Sequence, residues 1–206
     1  MLATLGAQGA ARQPALAGRI ALAMGDKELA ATYAAAAEAD PGVPAMQFDL
    51  VQLYRELGDE TAAQAAVKRI AASLDDLSAA ELKPFVLMAA ELKDGPLALA
   101  AADRLVALDG GPAALALRAR ALAVAGRAQE ALDILAALDL SSEVAEDAYL
   151  GALKALGRRE RLQAHLYRRL IDMSVSPGRR LSLIYALKES GPPFAAGSAR
   201  VASSLV

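Results

Sequence analysis

His165 is the chain's one histidine, and it lies in the cation-rich run RRERLQAHLYRRL. On helical spacing Arg158, Arg161, His165 and Arg168 fall at i, i+3, i+7 and i+10, one stripe of a helix, while Leu162, Leu166 and Leu170 form a buried stripe beside it. Such a stripe could bind an anion, a carbohydrate polymer or an acidic partner; a plain solvated face has the same pattern. Two acid pairs also stand out, Asp75-Asp76 and Glu146-Asp147. Adjacent helical positions point to different faces, and both pairs sit near expected helix starts, where carboxylates are favoured. They are expected to be solvated or capping. Were one carboxylate to do acid-base work on a helical scaffold, Glu146 or Glu160 would be the candidate.

Residue types exclude most other chemistry. One histidine and no cysteine leave no two-histidine zinc motif and no thiolate site. Neither a GxSxG elbow nor a GxxxxGK[ST] phosphate loop occurs. The sequence therefore predicts a protein that is not an enzyme, with no catalytic residue, no metal and no cofactor.

Composition says what must position these groups. The chain has 206 residues, of which 55% are hydrophobic but only 4% aromatic, and alanine dominates. Alanine and leucine favour helices, whereas a sheet would draw on β-branched and aromatic side chains. The fold class expected is all-α. The longest uncharged run, Met1 to Ala11, is too short for the roughly 18 residues of a membrane span, and no basic leader precedes an apolar run. Arginine is used over lysine and asparagine is absent, a bias that points to GC-rich bacterial coding. Residues 1–103 carry net charge −6 and residues 104–206 net +4, summing to −2. An acidic balance argues against nucleic acid as partner, and opposed halves suit docking to a protein.

A turn-like glycine recurs between apolar segments at Gly25, Gly58, Gly95, Gly126, Gly157 and Gly191, at intervals of 33, 37, 31, 31 and 34. Such a period, with a helix on each side of the glycine, marks a helical repeat. Glycine ends the first helix in a left-handed turn without a Cβ clash. A small residue follows where the two helices approach: Ala30, Ala63, Ala98, Ala131. First helices are expected near 12–24, 44–57, 79–93, 112–125, 143–156 and 178–190. Second helices are expected near 26–39, 59–74, 96–108, 127–139, 158–173 and 193–205. The units divide as 11–42, 43–77, 78–110, 111–141, 142–176 and 177–206, with 1–10 the tail of a preceding helix. The apolar ending VASSLV suggests a piece cut from a longer array.

On these residues the chain resembles the tetratricopeptide repeat family. Around Gly58 it offers Leu50, Tyr54, Ala63, Val67 and Ile70; around Gly126 it offers Leu115, Ala119, Leu122, Ala131, Leu135 and Leu138. Ala17-Gly18 and Asp40-Pro41 also match. The first-helix tryptophan of the family pattern is missing, and the second-helix aromatic is Leu, Val or Ala. The resemblance implies a right-handed superhelical solenoid whose concave wall, made by first helices, binds a protein partner. Carried onto that wall are Arg12, Arg19, Phe48, Gln52, Arg55, Lys83, Leu87, Arg120, Lys154, Tyr185 and Lys188, with Phe48, Arg55 and Tyr185 favoured because aromatics and arginine concentrate in hot spots. Tyr33, Tyr54, Phe85 and Tyr149 are expected in the core. The asparagine-and-lysine clamp by which family members grip a terminal carboxylate has no counterpart. By likeness to periplasmic arrays of exopolysaccharide exporters, the resemblance further implies a scaffold in a bacterial assembly or secretion complex; the alternative is direct binding of carbohydrate or polyanion by the Arg158 stripe.

Overall fold

In the computed structural model, residues 9, 12–40, 42 and 44–192 are described. The expected tail over 1–10, Gly9 apart, and the expected helix 193–205 lie outside them. The described residues form eleven α-helices and one 3-10 turn, with no strand. The chain divides into two compact units at Gly110–Gly111.

The first unit holds α1 (Pro14–Ala23), α2 (Lys27–Ala39), α3 (Pro44–Leu57), α4 (Glu60–Ala71), a 3-10 turn (Leu74–Asp76), α5 (Ala79–Glu91) and α6 (Gly95–Leu108). Here α1 packs on α2 and α3, α2 also on α3, α3 on α4 and α5, and α5 on α6. The second unit holds α7 (Pro112–Val124), α8 (Ala128–Leu135), α9 (Glu143–Ala155), α10 (Arg159–Ile171) and α11 (Pro177–Glu189). There α7 packs on α8 and α9, α8 on α9, α9 on α10, and α10 on α11. Within each unit the arrangement is repeat-like, helical pair against helical pair, which is compatible with a helical solenoid.

Each first helix ends at a residue in the left-handed region. Gly25, Gly58, Lys93, Gly126, Gly157 and Gly191 have positive φ. In the first five the amide of the following residue closes back on the carbonyl five positions earlier: Asp26 to Ala21, Asp59 to Tyr54, Asp94 to Ala89, Arg127 to Leu122 and Arg158 to Leu153, at 2.8 to 3.0 Å. This bond satisfies carbonyls that the helix end would otherwise leave orphaned. The sequence reading put Gly95 in this role, and the structure corrects it. Lys93 takes the left-handed position at φ 58, Gly95 is the buried first residue of α6, and the intervals become 33, 35, 33, 31 and 34.

After the turn, Asp26, Asp59 and Asp94 cap α2, α4 and α6 by accepting from the amides of Leu29, Ala62 and Leu97. At α8 and α10 the cap position holds Arg127 and Arg158, with no side-chain cap bond. Ala30, Ala63, Ala98 and Ala131 are fully buried at the pair contacts, where a small side chain lets backbones approach; Leu162 holds the place in α10. Around them Leu50, Leu53, Ile70, Leu82, Phe85 and Leu105 fill the first unit, and Leu122, Leu135, Leu153, Leu166 and Leu183 the second. Tyr54 and Phe85 are in the core as expected, while Tyr33 and Tyr149 are half-buried. α8 is the shortest helix at 8 residues, ending well before the expected 139.

Candidate functional site

The first-helix residues of the first unit make one exposed depression. Phe48, Asp49 and Gln52 of α3 and Pro84, Leu87, Met88 and Glu91 of α5 line it. Its aromatic wall is fixed from below, because the Phe48 ring lies 6.3 Å from that of fully buried Phe85. Phe48, Gln52 and Leu87, three of the residues expected to bind a partner, are thus brought together although α4, the 3-10 turn and more than thirty residues separate Leu87 from the other two.

The expected basic residues are engaged elsewhere, in a ladder between first helices. Arg19 of α1 pairs with Asp49 at 3.3 Å and Glu56 at 2.9 Å of α3. Arg55 of α3 pairs with Glu91 of α5 at 2.6 Å. In the second unit Lys154 of α9 pairs with Glu189 of α11 at 3.4 Å. Each acidic rung, Glu56, Glu91 or Glu189, stands two residues before the left-handed residue of its pair. Lys83 pairs with Asp109 at 3.2 Å. So Arg19, Arg55, Lys83 and Lys154 hold neighbouring segments together. The second helices have their own rung: Arg69 of α4 meets Glu38 of α2 at 3.0 Å. Burial together with that Glu38, which also bonds it, pushes the Tyr54 hydroxyl up to about 12.

Arg120 is half-buried, Arg12 and Lys188 are exposed, and Tyr185 is 59% exposed. None of these joins the depression. A second depression, in the other unit, is lined by Leu150, Gly151, Leu153, Leu162 and Ala186 with Lys154 and Glu189 at its edge.

The structure corrects the reading of Glu146 and His165. Glu146 is neither solvated nor a cap: it is fully buried at the meeting of α9, α10 and α11. His165 Nε2 lies 2.9 Å from its Oε1, and Arg169 Nε donates to the same oxygen at 2.7 Å. Arg179 donates to Oε2 through Nε at 3.0 Å and Nη2 at 2.8 Å. Burial alone would raise this carboxyl; the bonds from His165, Arg169 and Arg179 outweigh it and hold the group down at about 2. A carboxylate with both oxygens engaged, no exposure and so low a pKa is a poor general base or acid. Asp147, exposed, shares Arg179 at 2.7 Å, and Asp172 takes the other arm of Arg169 at 2.8 Å.

His165 is therefore not on the cationic stripe. It is buried, with its ring 5.1 Å from that of Tyr149. At about 100° per residue it falls only about 60° from Leu162, on the edge of the leucine face. Arg158, Arg161 and Arg168 do stay exposed. Arg158 donates to Gln129 Oε1 at 2.7 Å and Arg161 lies 5.9 Å over the Tyr149 ring. Glu160 is exposed as well.

Among the described residues no group of three His, Cys, Asp or Glu could hold a metal ion, and no helix is long and apolar enough to cross a membrane. What fold and site define is a class: an all-α protein of stacked helical pairs, with an aromatic-walled groove between two first helices. Compared with protein-family models, with curated proteins and with solved structures, the chain finds no significant match.

Proposed function

We propose that the chain is a non-enzymatic, tetratricopeptide-like superhelical scaffold that holds a protein partner in the groove between α3 and α5. The observation that carries this is the convergence of Phe48, Gln52 and Leu87 on one exposed depression whose wall is anchored on Phe85. Aromatic and apolar anchors in a preformed recess, ringed by polar groups, are the usual makings of a binding hot spot. The pairing of Arg19 with Asp49 and Glu56, and of Arg55 with Glu91, fixes α1, α3 and α5 against one another, so the groove is set before a partner arrives.

The test is selection of binders from a displayed random-peptide library, followed by titration of the selected peptides against Phe48→Ala and Leu87→Asp variants of unchanged thermal stability. A loss of about tenfold or more in each variant supports the groove; full affinity in both removes it.

A second reading is favoured by one observation: Arg158, Arg161 and Arg168 are exposed, and among the described residues none of them is in an ion pair. They could bind an acidic polymer. If dextran sulfate binds the Arg158→Glu, Arg161→Glu, Arg168→Glu triple variant as well as the parent chain, the stripe has no such role.

A further inference from the structure

From the charges at the rim of the α3–α5 groove, we infer that its partner is an extended peptide segment carrying an apolar side chain flanked by lysine or arginine. This rests on the groove reading above and adds the chemistry of the occupant.

Three features lead to it. The floor is apolar and aromatic, from Phe48, Pro84 and Leu87. Gln52 faces the same depression, and its amide has no hydrogen bond among the described residues, which leaves one donor group and one acceptor for a passing peptide backbone. The rim is anionic. Asp49 accepts only at Oδ1, from Arg19, and Glu91 only at Oε2, from Arg55, so Asp49 Oδ2 and Glu91 Oε1 are unpaired among the described residues.

The balance of charge points the same way. Arg19 and Arg55 face Asp49, Glu56 and Glu91, two cations against three anions, in a half of the chain whose net charge is −6. Both guanidiniums already serve the ladder. An acidic segment would have to break those pairs or leave its carboxylates unpaired beside two others, which a binding surface penalises. A basic segment instead completes the open oxygens and gains from the field of the whole unit.

Two capped heptapeptides test this, identical except that a central leucine is flanked by lysines in one and by glutamates in the other. They are titrated against the full chain by fluorescence anisotropy. The lysine probe binds about tenfold tighter or better, and its advantage shrinks as salt rises. In the Asp49→Asn, Glu91→Gln double variant the advantage falls below about twofold. Arg55→Gln, which uncovers Glu91, widens the advantage of the lysine probe over the glutamate probe. Equal binding of the two probes, preference for the glutamate probe, or a narrower lysine advantage in Arg55→Gln overturns the inference. Failure of both probes while library-selected peptides still depend on Leu87 overturns it too and leaves the groove intact. Selected peptides that ignore Leu87 take both readings down.

Discussion

Arg179, in the first turn of α11, reaches back 33 residues to grip Glu146 of α9 with two nitrogens, and with the second it also holds Asp147. The buried carboxylate it grips joins three helices, since Arg169 and His165 of α10 take its other oxygen. Glu146→Ala takes the buried partner from two guanidiniums and leaves Arg169 only Asp172 and Arg179 only Asp147. Breaking a buried pair in this way costs about 3 to 5 kcal/mol, so the urea midpoint of the chain should drop sharply. A change within error would show that the second unit does not depend on this contact.

Glu146 also contributes to acid sensitivity. Its pKa lies at about 2 in the folded chain, below the ordinary glutamate value. The unfolded state therefore binds the extra proton first. Its stabilising contribution is whole above the unfolded value and is lost as pH falls from there towards the folded pKa, with a slope of up to about 1.4 kcal/mol per pH unit. Glu146→Gln should flatten unfolding free energy against pH between about 4.5 and 2. An unaltered slope would place the acid sensitivity in other carboxylates.

Lys93 is the one non-glycine in the left-handed position, at φ 58. An L side chain there is disfavoured by crowding between Cβ and the carbonyl. Lys93→Gly should raise stability by about 0.5 to 1 kcal/mol, and Gly58→Lys should lower it by a similar amount. Thermal melts of the pair check both signs.

The cap positions of α4 and α10 differ in the same testable way. Asp59 accepts from the Ala62 amide at 2.9 Å, and Asp59→Ala should cost about 1 kcal/mol. Arg158 offers no such bond. Arg158→Asp should gain about 0.5 kcal/mol or more in urea denaturation; a loss would mean that its bond to Gln129 matters more than the missing cap.

Gly18 is fixed by packing. A Cβ there would stand 2.5 Å from Leu53 Cδ2, 3.2 Å from Tyr33 Cβ and 3.3 Å from the Ala30 carbonyl oxygen. Leu53 could swing aside, but the other two belong to the body of α2. Gly18→Val should destabilise the chain by about 1 to 3 kcal/mol, read as a lower melting temperature. A neutral result would contradict the close approach of α1 to α2 and α3.

The helices were legible because their determinants are local. A glycine, an aspartate one step on and an alanine four further on recur at Gly25, Asp26, Ala30 and again at Gly58, Asp59, Ala63, and these spell turn, cap and close contact within a few residues. Around Gly95 the same local logic misled, since lysine is a poor marker for a left-handed turn and only the carbonyl bond from Asp94 to Ala89 reveals it. Glu146 was illegible for a different reason. Its partners lie 19, 23 and 33 residues away on two other helices, and with Asp147 beside it the helical pattern does not say which acid faces in. The ladder left a trace that periodicity could have found: a glutamate two places before the turn, at Glu56, Glu91 and Glu189. The groove lay between these cases, since family likeness placed Phe48, Gln52 and Leu87 on one wall but could not show that Arg55 was already taken.

The rungs give the first unit a repeating seam. Because Glu56 and Glu91 keep the same offset from their turns, excising residues 26–58 would set Gly25 directly before Asp59 and bring Arg19 opposite Glu91, keeping that rung while losing the Asp49 contact. A hairpin of the first unit could thus be lost in one genetic step with its glutamate rung kept, whereas Val124 and Ala155, at the same offset before Gly126 and Gly157, offer no such rung.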